Sequence, residues 1–330
     1  MAYSTVTGLI VEPDDGVGPV RDFIAGASTT LLIKQFTFTQ PALIDAVIER
    51  RRAGVRVRVM LNPQRSSGSR ANDETFEQLR AAGVEVQWSS SKFYVTHEKS
   101  IVVDGVAAMV ATYNLMDKYF TRTRDYGVIT RDLQQVAQIV EVFDADWNNQ
   151  DWQPGRDVGL LWSNSNSRLQ MADFIDSARY RLDVQHPKYV DAVILDRLVA
   201  ATGRGVKVHV LCGGRHGISD WDILDTFASL RTLRVFGAKV HKQKNLRVHA
   251  KLLIADDARA LVGSMNIDRS AFDLRRELGI LVAAPEAVAR LKSTFDFDWE
   301  RSRHYHPPDP VDPGRHVETD FAHDEELTHE

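Results

Sequence analysis

His97-Glu98-Lys99-Ser100-Ile101-Val102-Val103-Asp104 and His249-Ala250-Lys251-Leu252-Leu253-Ile254-Ala255-Asp256 share the pattern H-x-K-x4-D and begin 152 positions apart. The same offset carries Asn114 onto Asn266, Asp125 onto Glu277, Phe143 onto Phe295 and Trp147 onto Trp299. Three fixed positions recur by chance at roughly 1 in 10,000 starting points for average composition. Two copies, each followed in register by an Asn and then an acid, mark an internal duplication that kept its polar residues.

The parallel extends in both directions. An apolar strand over Leu31–Phe38 is matched by Arg181–Gln185. A helix follows, with Pro41 at its first turn, Leu43, Ile44, Val47 and Ile48 on one face and Gly54 at its end; Ile194, Leu195, Leu198, Val199 and Gly203 repeat it. Buried strands Val55–Leu61 and Val206–Leu211 come next. Then a helix and strand over Glu74–Ala82 and Val84–Trp88 answer Trp221–Leu230 and Ala238–His241. Alternating strand and helix with buried strands predicts an α/β fold of two tandem similar halves, each a mixed, mostly parallel sheet flanked by helices. The expected boundaries are 1–150 for the first half, 151–157 for a junction containing Gln153-Pro154-Gly155, 158–303 for the second half, and 304–330 for a disordered acidic tail.

Composition narrows the function classes. The chain has 330 residues, 43% apolar and 26% charged, with a formal net charge of −4. That is a globular composition with no overall basic footprint for nucleic acid. The single cysteine, Cys212, permits no internal disulfide and no Cys-based metal cluster, and suits a reducing compartment. No apolar run reaches the ~18 residues of a spanning helix, and Met1–Asp15 lacks the pattern of a signal peptide. A cytoplasmic protein is expected.

On a strand, residues i and i+2 share a face. His97 and Lys99 therefore project together, as do His249 and Lys251, while Asp104 and Asp256, an odd spacing away at the strand end, fit orienting or turn-capping roles. Asp104-Gly105 suits a hairpin turn. The return strands, Val106–Ala111 and Arg259–Val262, deliver Thr112-Tyr113-Asn114 and Ser264-Met265-Asn266 beside each His/Lys pair. Asp125 and Glu277 begin further strands, and each is expected to accept a hydrogen bond from the His of its own half. Joined, the halves form a cationic, donor-rich pocket suited to a phosphate. One neutral imidazole can attack phosphorus and a second, protonated one can release the leaving oxygen, provided their environments differ. A metal site competes for the His and carboxylates, but H-x-K puts an ammonium where a second ligand would sit. No metal and no cofactor are expected.

These residues resemble the phospholipase D superfamily, the HKD phosphodiesterases, over about residues 8–303. Gly263-Ser264-Met265-Asn266 matches the family's G-S-x-N segment; Ala111-Thr112-Tyr113-Asn114 has Thr in place of Ser, and Asp125 is shorter than the usual Glu. The resemblance implies metal-independent phosphodiester cleavage at the interface of two halves through a phosphohistidine, with hydrolysis by water or transfer to an alcohol. It implies His97 as nucleophile and His249 as acid. Lys99, Lys251, Asn114 and Asn266 hold the phosphate, and Asp104 and Asp256 are structural. Because both motifs lie in one chain, it should be active as a monomer.

Other candidates are weaker. Thr112 and Ser264 are read as substrate-binding, as are Arg65 and Arg215, each four residues beyond a buried strand at the end where α/β sheets collect ligands. Tyr113, Met116, Tyr119, Phe120, Phe93 and Tyr94 are candidates for an apolar rim, though more often such residues are core. A phospholipid is the expected substrate, with peripheral membrane contact; a nuclease of the same fold acting on single-stranded DNA or RNA is the alternative. A non-catalytic phosphate-binding scaffold is the third reading. The lack of membrane helices lowers the expectation of a cardiolipin synthase.

Overall fold

The structure is a computed structural model that describes residues 6–65, 67–215 and 218–311. The first half runs β1 (Val6–Glu12), α1 (Gly18–Ala25), β2 (Thr30–Gln35), α2 (Pro41–Arg52), β3 (Arg56–Leu61), α3 (Asp73–Ala81), β4 (Glu85–Trp88), β5 (Ser100–Val103), β6 (Ala107–Ala111), β7 (Thr123–Thr130) and α4 (Leu133–Trp147). The second runs β8 (Leu160–Trp162), α5 (Ser167–Asp176), β9 (Arg181–Gln185), α6 (Ala192–Gly203), β10 (Lys207–Cys212), α7 (Ile223–Val235), β11 (Lys239–Lys242), β12 (Arg247–Val248), β13 (Leu252–Ala255), β14 (Arg259–Gly263), α8 (Arg269–Asp273), β15 (Leu278–Val282), α9 (Pro285–Glu300) and β16 (Arg303–His304).

Local chemistry sets several boundaries. Helix α2 starts with Pro41 at a position needing no amide, the Gln40 side chain accepts from Ala42 N, and Gly54 beyond its end has φ +91°. The β5–β6 hairpin turns on Asp104 and Gly105, both at positive φ (53° and 64°), the backbone that matches strand twist. The β13–β14 hairpin does the same with Asp256 and Asp257 (54° and 55°) and no glycine. Asp enters that region more readily than most residues, and here the Asp104 and Asp256 carboxylates are held by backbone amides of the loops before β2 and β9.

Each half builds one mixed sheet. The orders are β1-β7-β6-β5-β2-β3-β4, with β12 joined to β7, and β16-β11-β10-β9-β13-β14-β15-β8. The α/β class and the two similar halves hold, but the expected parallel majority does not. Only β2-β3-β4, β9-β10-β11 and the β12–β7 pair are parallel; every other pairing is antiparallel. Alternating strand and helix governs only the start of each half. From the motif strand onward the connections are hairpins, which force antiparallel pairing.

Helix α4 packs on β2, β5 and β6, and α9 on β13, β14 and β1, so both lie between the two sheets. Their apolar faces close one core shared by the halves, with Val110, Tyr126, Ile139 and Phe143 from the first and Leu252, Val262, Leu291 and Phe295 from the second. Separate outer cores lie under α1 and α2 and under α5 and α6. The placement of the tail from residue 304 is corrected: His304 pairs with His241, Tyr305 N donates to Val240 O, and Arg231 lies 3.6 Å from Asp309. The chain is packed through these residues because β16 supplies an edge strand to β11. Residues 312–330, the rest of that segment, lie outside the described residues.

Candidate active site

The site forms where the two motif segments meet the ends of β7 and β15. His97, Lys99, Asn114 and Asp125 of the first half are buried, as are His249, Lys251 and Glu277 of the second; Asn266 is half-buried. Each His and Lys lies just ahead of its motif strand rather than within it. Asp104 and Asp256 point away, as their spacing requires. The Asp104 carboxylate accepts the backbone N–H groups of Ser28, Thr29 and Thr30, and Asp256 those of Arg179, Tyr180 and Arg181. Burial alone would raise the Asp104 carboxyl, but those donated hydrogen bonds hold it well below the usual range.

The acids cross between the halves. His97 Nδ1 lies 2.9 and 3.0 Å from the two carboxylate oxygens of Glu277, and His249 Nδ1 lies 2.8 Å from Asp125 Oδ1. The expectation that each acid serves the His of its own half is therefore wrong, and the backbone gives the reason. Arg276 O accepts the amides of both His97 and Glu98 at 2.9 Å, while Arg124 O accepts those of His249 and Ala250 at 3.3 and 2.9 Å. Strand β12, which leads into the second motif, runs parallel to the start of β7, and Thr96 bridges Arg276 in the same sense. Each motif thus docks on the other half's acid-bearing strand, one residue before the acid.

Two buried clamps fix that exchange. Arg276 Nη2 lies 2.7 Å from Asp146 Oδ1 on α4, and Arg124 grips Asp298 on α9 through Nε (2.8 Å) and Nη2 (3.1 Å). Lys34 also contacts Asp146 at 2.7 Å and Glu98 at 3.0 Å; at the matching place Gln185 Nε2 donates to Asp298 at 3.0 Å. Asp146 and Asp298 are one offset apart, as are Arg124 and Arg276. The repeat therefore carried the signal for these four residues, which sequence reasoning missed.

A carboxylate can only accept, so both Nδ1 atoms carry hydrogen; Nε2 then presents its lone pair in a neutral ring and carries a second proton in a protonated one. Burial, then the charge of Lys99, Arg275 and Lys251, pushes His97 well below the ordinary histidine range and keeps its ring neutral. Burial likewise pushes Glu277 up to about 7, against the pull of Lys99, Arg275 and Ser264. Lys99 Nζ donates to His97 O and Lys251 Nζ to His249 O, both at 2.6 Å; Lys251 Nζ is also 3.0 Å from His249 Nε2. The surroundings are unequal. Phe36 meets the His97 ring edge-on at 4.8 Å, whereas Tyr119 lies 4.7 Å from the His249 ring and accepts from Asn114 Nδ2. Arg275 and Phe36 were not foreseen, because neither has a like counterpart at the repeat offset; Tyr119, a candidate for an apolar rim, instead packs beside the His249 ring.

Thr112 and Ser264 are corrected from substrate-binding to acid-supporting. Thr112 Oγ1 donates to Asp125 Oδ1 at 2.5 Å and accepts from Tyr126 N, and Thr123 Oγ1 donates to Asp125 Oδ2. Ser264 Oγ accepts from Leu278 N at 3.0 Å and donates to Leu278 O at 3.3 Å, and its hydroxyl draws the Glu277 carboxyl down. Both hydroxyls are committed behind the imidazoles. The glycine ahead of Ser264 is also explained: a Cβ on Gly263 would lie 2.6 Å from Gly279 Cα and 2.7 Å from Leu278 O. Arg65 reaches Thr37 Oγ1 and Met116 Sδ, beside the loop bearing Asn114. Arg215 is exposed at the corresponding end of the second sheet. Tyr113, Tyr119 and Phe120 are core; Tyr94 is exposed.

Comparison with known proteins bears on the family and the fold. The sequence profile of the family described as "Cardiolipin synthase, PLD-like domain" matches residues 20–147 and 171–299. The major cardiolipin synthase ClsA of Bacillus subtilis (strain 168) is 28% identical over 302 residues, 80% of this chain and 61% of that protein. Cardiolipin synthase 1 of Staphylococcus epidermidis is 24% identical over 332 residues, 86% of this chain. The chain spans 61% and 66% of the length of these two relatives. Phosphatidylserine synthase of Haemophilus influenzae Rd KW20 superposes with a TM-score of 0.71 at 12% identity, covering 93% of this chain and 90% of that one. Polyphosphate kinase of Porphyromonas gingivalis gives a TM-score of 0.71 at 16% identity over 89% of this chain and 47% of its own. These two likenesses concern the fold. With both halves matched by the family profile, the chain belongs to the phospholipase D-like family.

Proposed function

We propose that this protein transfers a phosphatidyl group between alcohols through a phosphohistidine, without a metal. The observation that carries the reading is the pair of imidazoles, each with Nδ1 held by a carboxylate of the opposite half and a lysine two residues on. His97, kept neutral, attacks phosphorus through Nε2. The P–O bond to the leaving alcohol breaks, and its oxygen takes the Nε2 proton of His249, whose protonated ring Asp125 supports at 2.8 Å. The phosphoryl group then sits on His97. His249 next takes the proton of an incoming alcohol, whose oxygen displaces His97 and restores the site; water in that place gives hydrolysis. Lys99, Lys251, Asn114 and Asn266 hold the non-bridging oxygens, and the proposal gives Arg65 and Arg215 the headgroup.

The cardiolipin synthases among the relatives favour transfer over lipid degradation and a phospholipid over nucleic acid. No helix among the described residues is long and apolar enough to cross a membrane, and peripheral contact of these residues with lipid is part of the proposal. One chain carries both half-sites, which supports activity as a monomer.

Phosphatidylglycerol vesicles incubated with the protein in chelator should yield cardiolipin and free glycerol. Phosphatidic acid as the sole product would replace transfer with hydrolysis. Cleaved single-stranded DNA without any lipid product would overturn the phospholipid reading. Denatured-gel trapping in His249→Ala, with a substrate bearing a good leaving group, should place the adduct on His97; an adduct on His249 in His97→Ala would reverse the roles.

A further inference from the structure

Strand β2 meets β5 with Lys34 opposite Ser100, and β9 meets β13 with Gln185 opposite Leu252. Continued by one position, that register brings Gln35 level with Lys99 and His186 level with Lys251, the lysines lying just ahead of β5 and β13. Strand alternation puts Gln35 on the face of Leu31 and Ile33, and His186 on the face of Leu182 and Val184, the faces that carry the outer cores. Lys99 shares the first of these faces with Ile101 and Val103, and Lys251 the second with Leu253 and Ala255.

Both side chains are fully buried. Neither amide atom of Gln35 and neither ring nitrogen of His186 has a hydrogen-bond partner. An orphaned buried polar group destabilises a fold and calls for an explanation. Here the two orphans occupy equivalent positions in a duplicated fold, each beside a site lysine. Their main-chain atoms are tied down: His186 N donates to Leu211 O, and Gln35 O accepts from Asn62 N. Besides burial, the charge that acts on the His186 ring is Lys251. A leucine at either place would fill the core without the polar cost, so packing does not account for them.

We propose that Gln35 and His186 are positioning residues for the two lysines. When a phosphoryl group draws Lys99 and Lys251 toward it, Gln35 Oε1 and a His186 ring nitrogen each accept one N–H of the ammonium and hold its remaining donors on the phosphoryl oxygens. An ammonium has three donors and no acceptor, so an acceptor behind it fixes where the others point. The inference rests on the reading of these lysines as phosphoryl-binding.

Inorganic phosphate is the probe, with binding measured by calorimetry and stability by thermal melting. Gln35→Met keeps shape and removes both polar atoms. It should raise the melting temperature and weaken phosphate binding about tenfold, as expected on losing a hydrogen bond to a charged group. His186→Gln installs the residue the first half uses at this position and should bind phosphate within about threefold of the wild type. Gln35→Met binding phosphate like the wild type, or melting lower, overturns the proposal. So does His186→Gln as weak as Gln35→Met, or a wild type that does not bind phosphate. A wild type that binds phosphate but transfers no phosphatidyl group refutes the transfer reading alone.

Discussion

Replacing Glu277 by Gln tests the crossed arrangement and its energetics together. Both carboxylate oxygens of Glu277 lie within 3.0 Å of His97 Nδ1 in a fully buried setting. Gln keeps one acceptor and removes the charge. A hydrogen bond to a charged group is worth about 1.5–3 kcal/mol, so formation of the His97 adduct should slow by about 10- to 150-fold. Stability should move the other way. Burial raises Glu277 from 4.5 to about 7, a displacement equivalent to about 3 kcal/mol. Between those values the folded protein binds more protons at this site than the unfolded chain, so Glu277 erodes stability as pH rises from 4.5 to 7. Gln does not ionise. The stability of Glu277→Gln relative to the wild type should therefore grow by up to about 3 kcal/mol between pH 4.5 and pH 8. Urea melts across that range measure it, and nitrogen-15 spectra of the histidine rings identify which ring responds. Glu277→Gln should shift the His97 ring, and Asp125→Asn the His249 ring. A shift confined to His249 in Glu277→Gln would refute the crossing, and a pH-independent stability difference would refute the account of the buried acid.

The clamps behind the site should differ in cost. Arg124→Met leaves Asp298 with only neutral donors from Gln185 and Gln243 and should lose about 3–5 kcal/mol, whereas Arg276→Met leaves Asp146 on Lys34 and should lose less; chemical denaturation compares them. Gly263→Ala should destabilise by about 1–3 kcal/mol, since the added carbon meets backbone of β15 that cannot give way, and calorimetry reads the loss. Trp299 stacks on His241 at 3.8 Å and on His209 at 4.7 Å, and His241 is pushed down to about 4 by burial and by His304, His209 and Lys239. Its contribution is complete above pH 6.5 and is lost as pH falls toward 4, so the stability of the wild type should fall over that window more than that of His241→Leu, as followed by denaturation with Trp299 fluorescence.

Much of this molecule could be read along the chain. The repeated H-x-K-x4-D, with Asn114, Asn266, Asp125 and Glu277 at one offset, identified the duplication. Strand parity separated His97 and Lys99, which enter the site, from Asp104, which secures the loop before β2. The same offset also links Arg124 to Arg276 and Asp146 to Asp298. Strand direction was misjudged because β–α alternation ends at β4, and hairpins carry the rest of each half.

Only the tertiary structure decided which acid serves which histidine. In a chain whose halves repeat at a constant spacing, pairing within a half and pairing across halves leave identical patterns, since the offset from His97 to Asp125 equals that from His249 to Glu277. The choice is made by the docking of each motif's lead segment on the opposite strand, through Arg276 O and Arg124 O, and by the buried arginine clamps onto α4 and α9. The same holds for Gln35 and His186. Their chemistry is visible in the sequence, but their burial without partners level with two lysines exists only once the strands are paired.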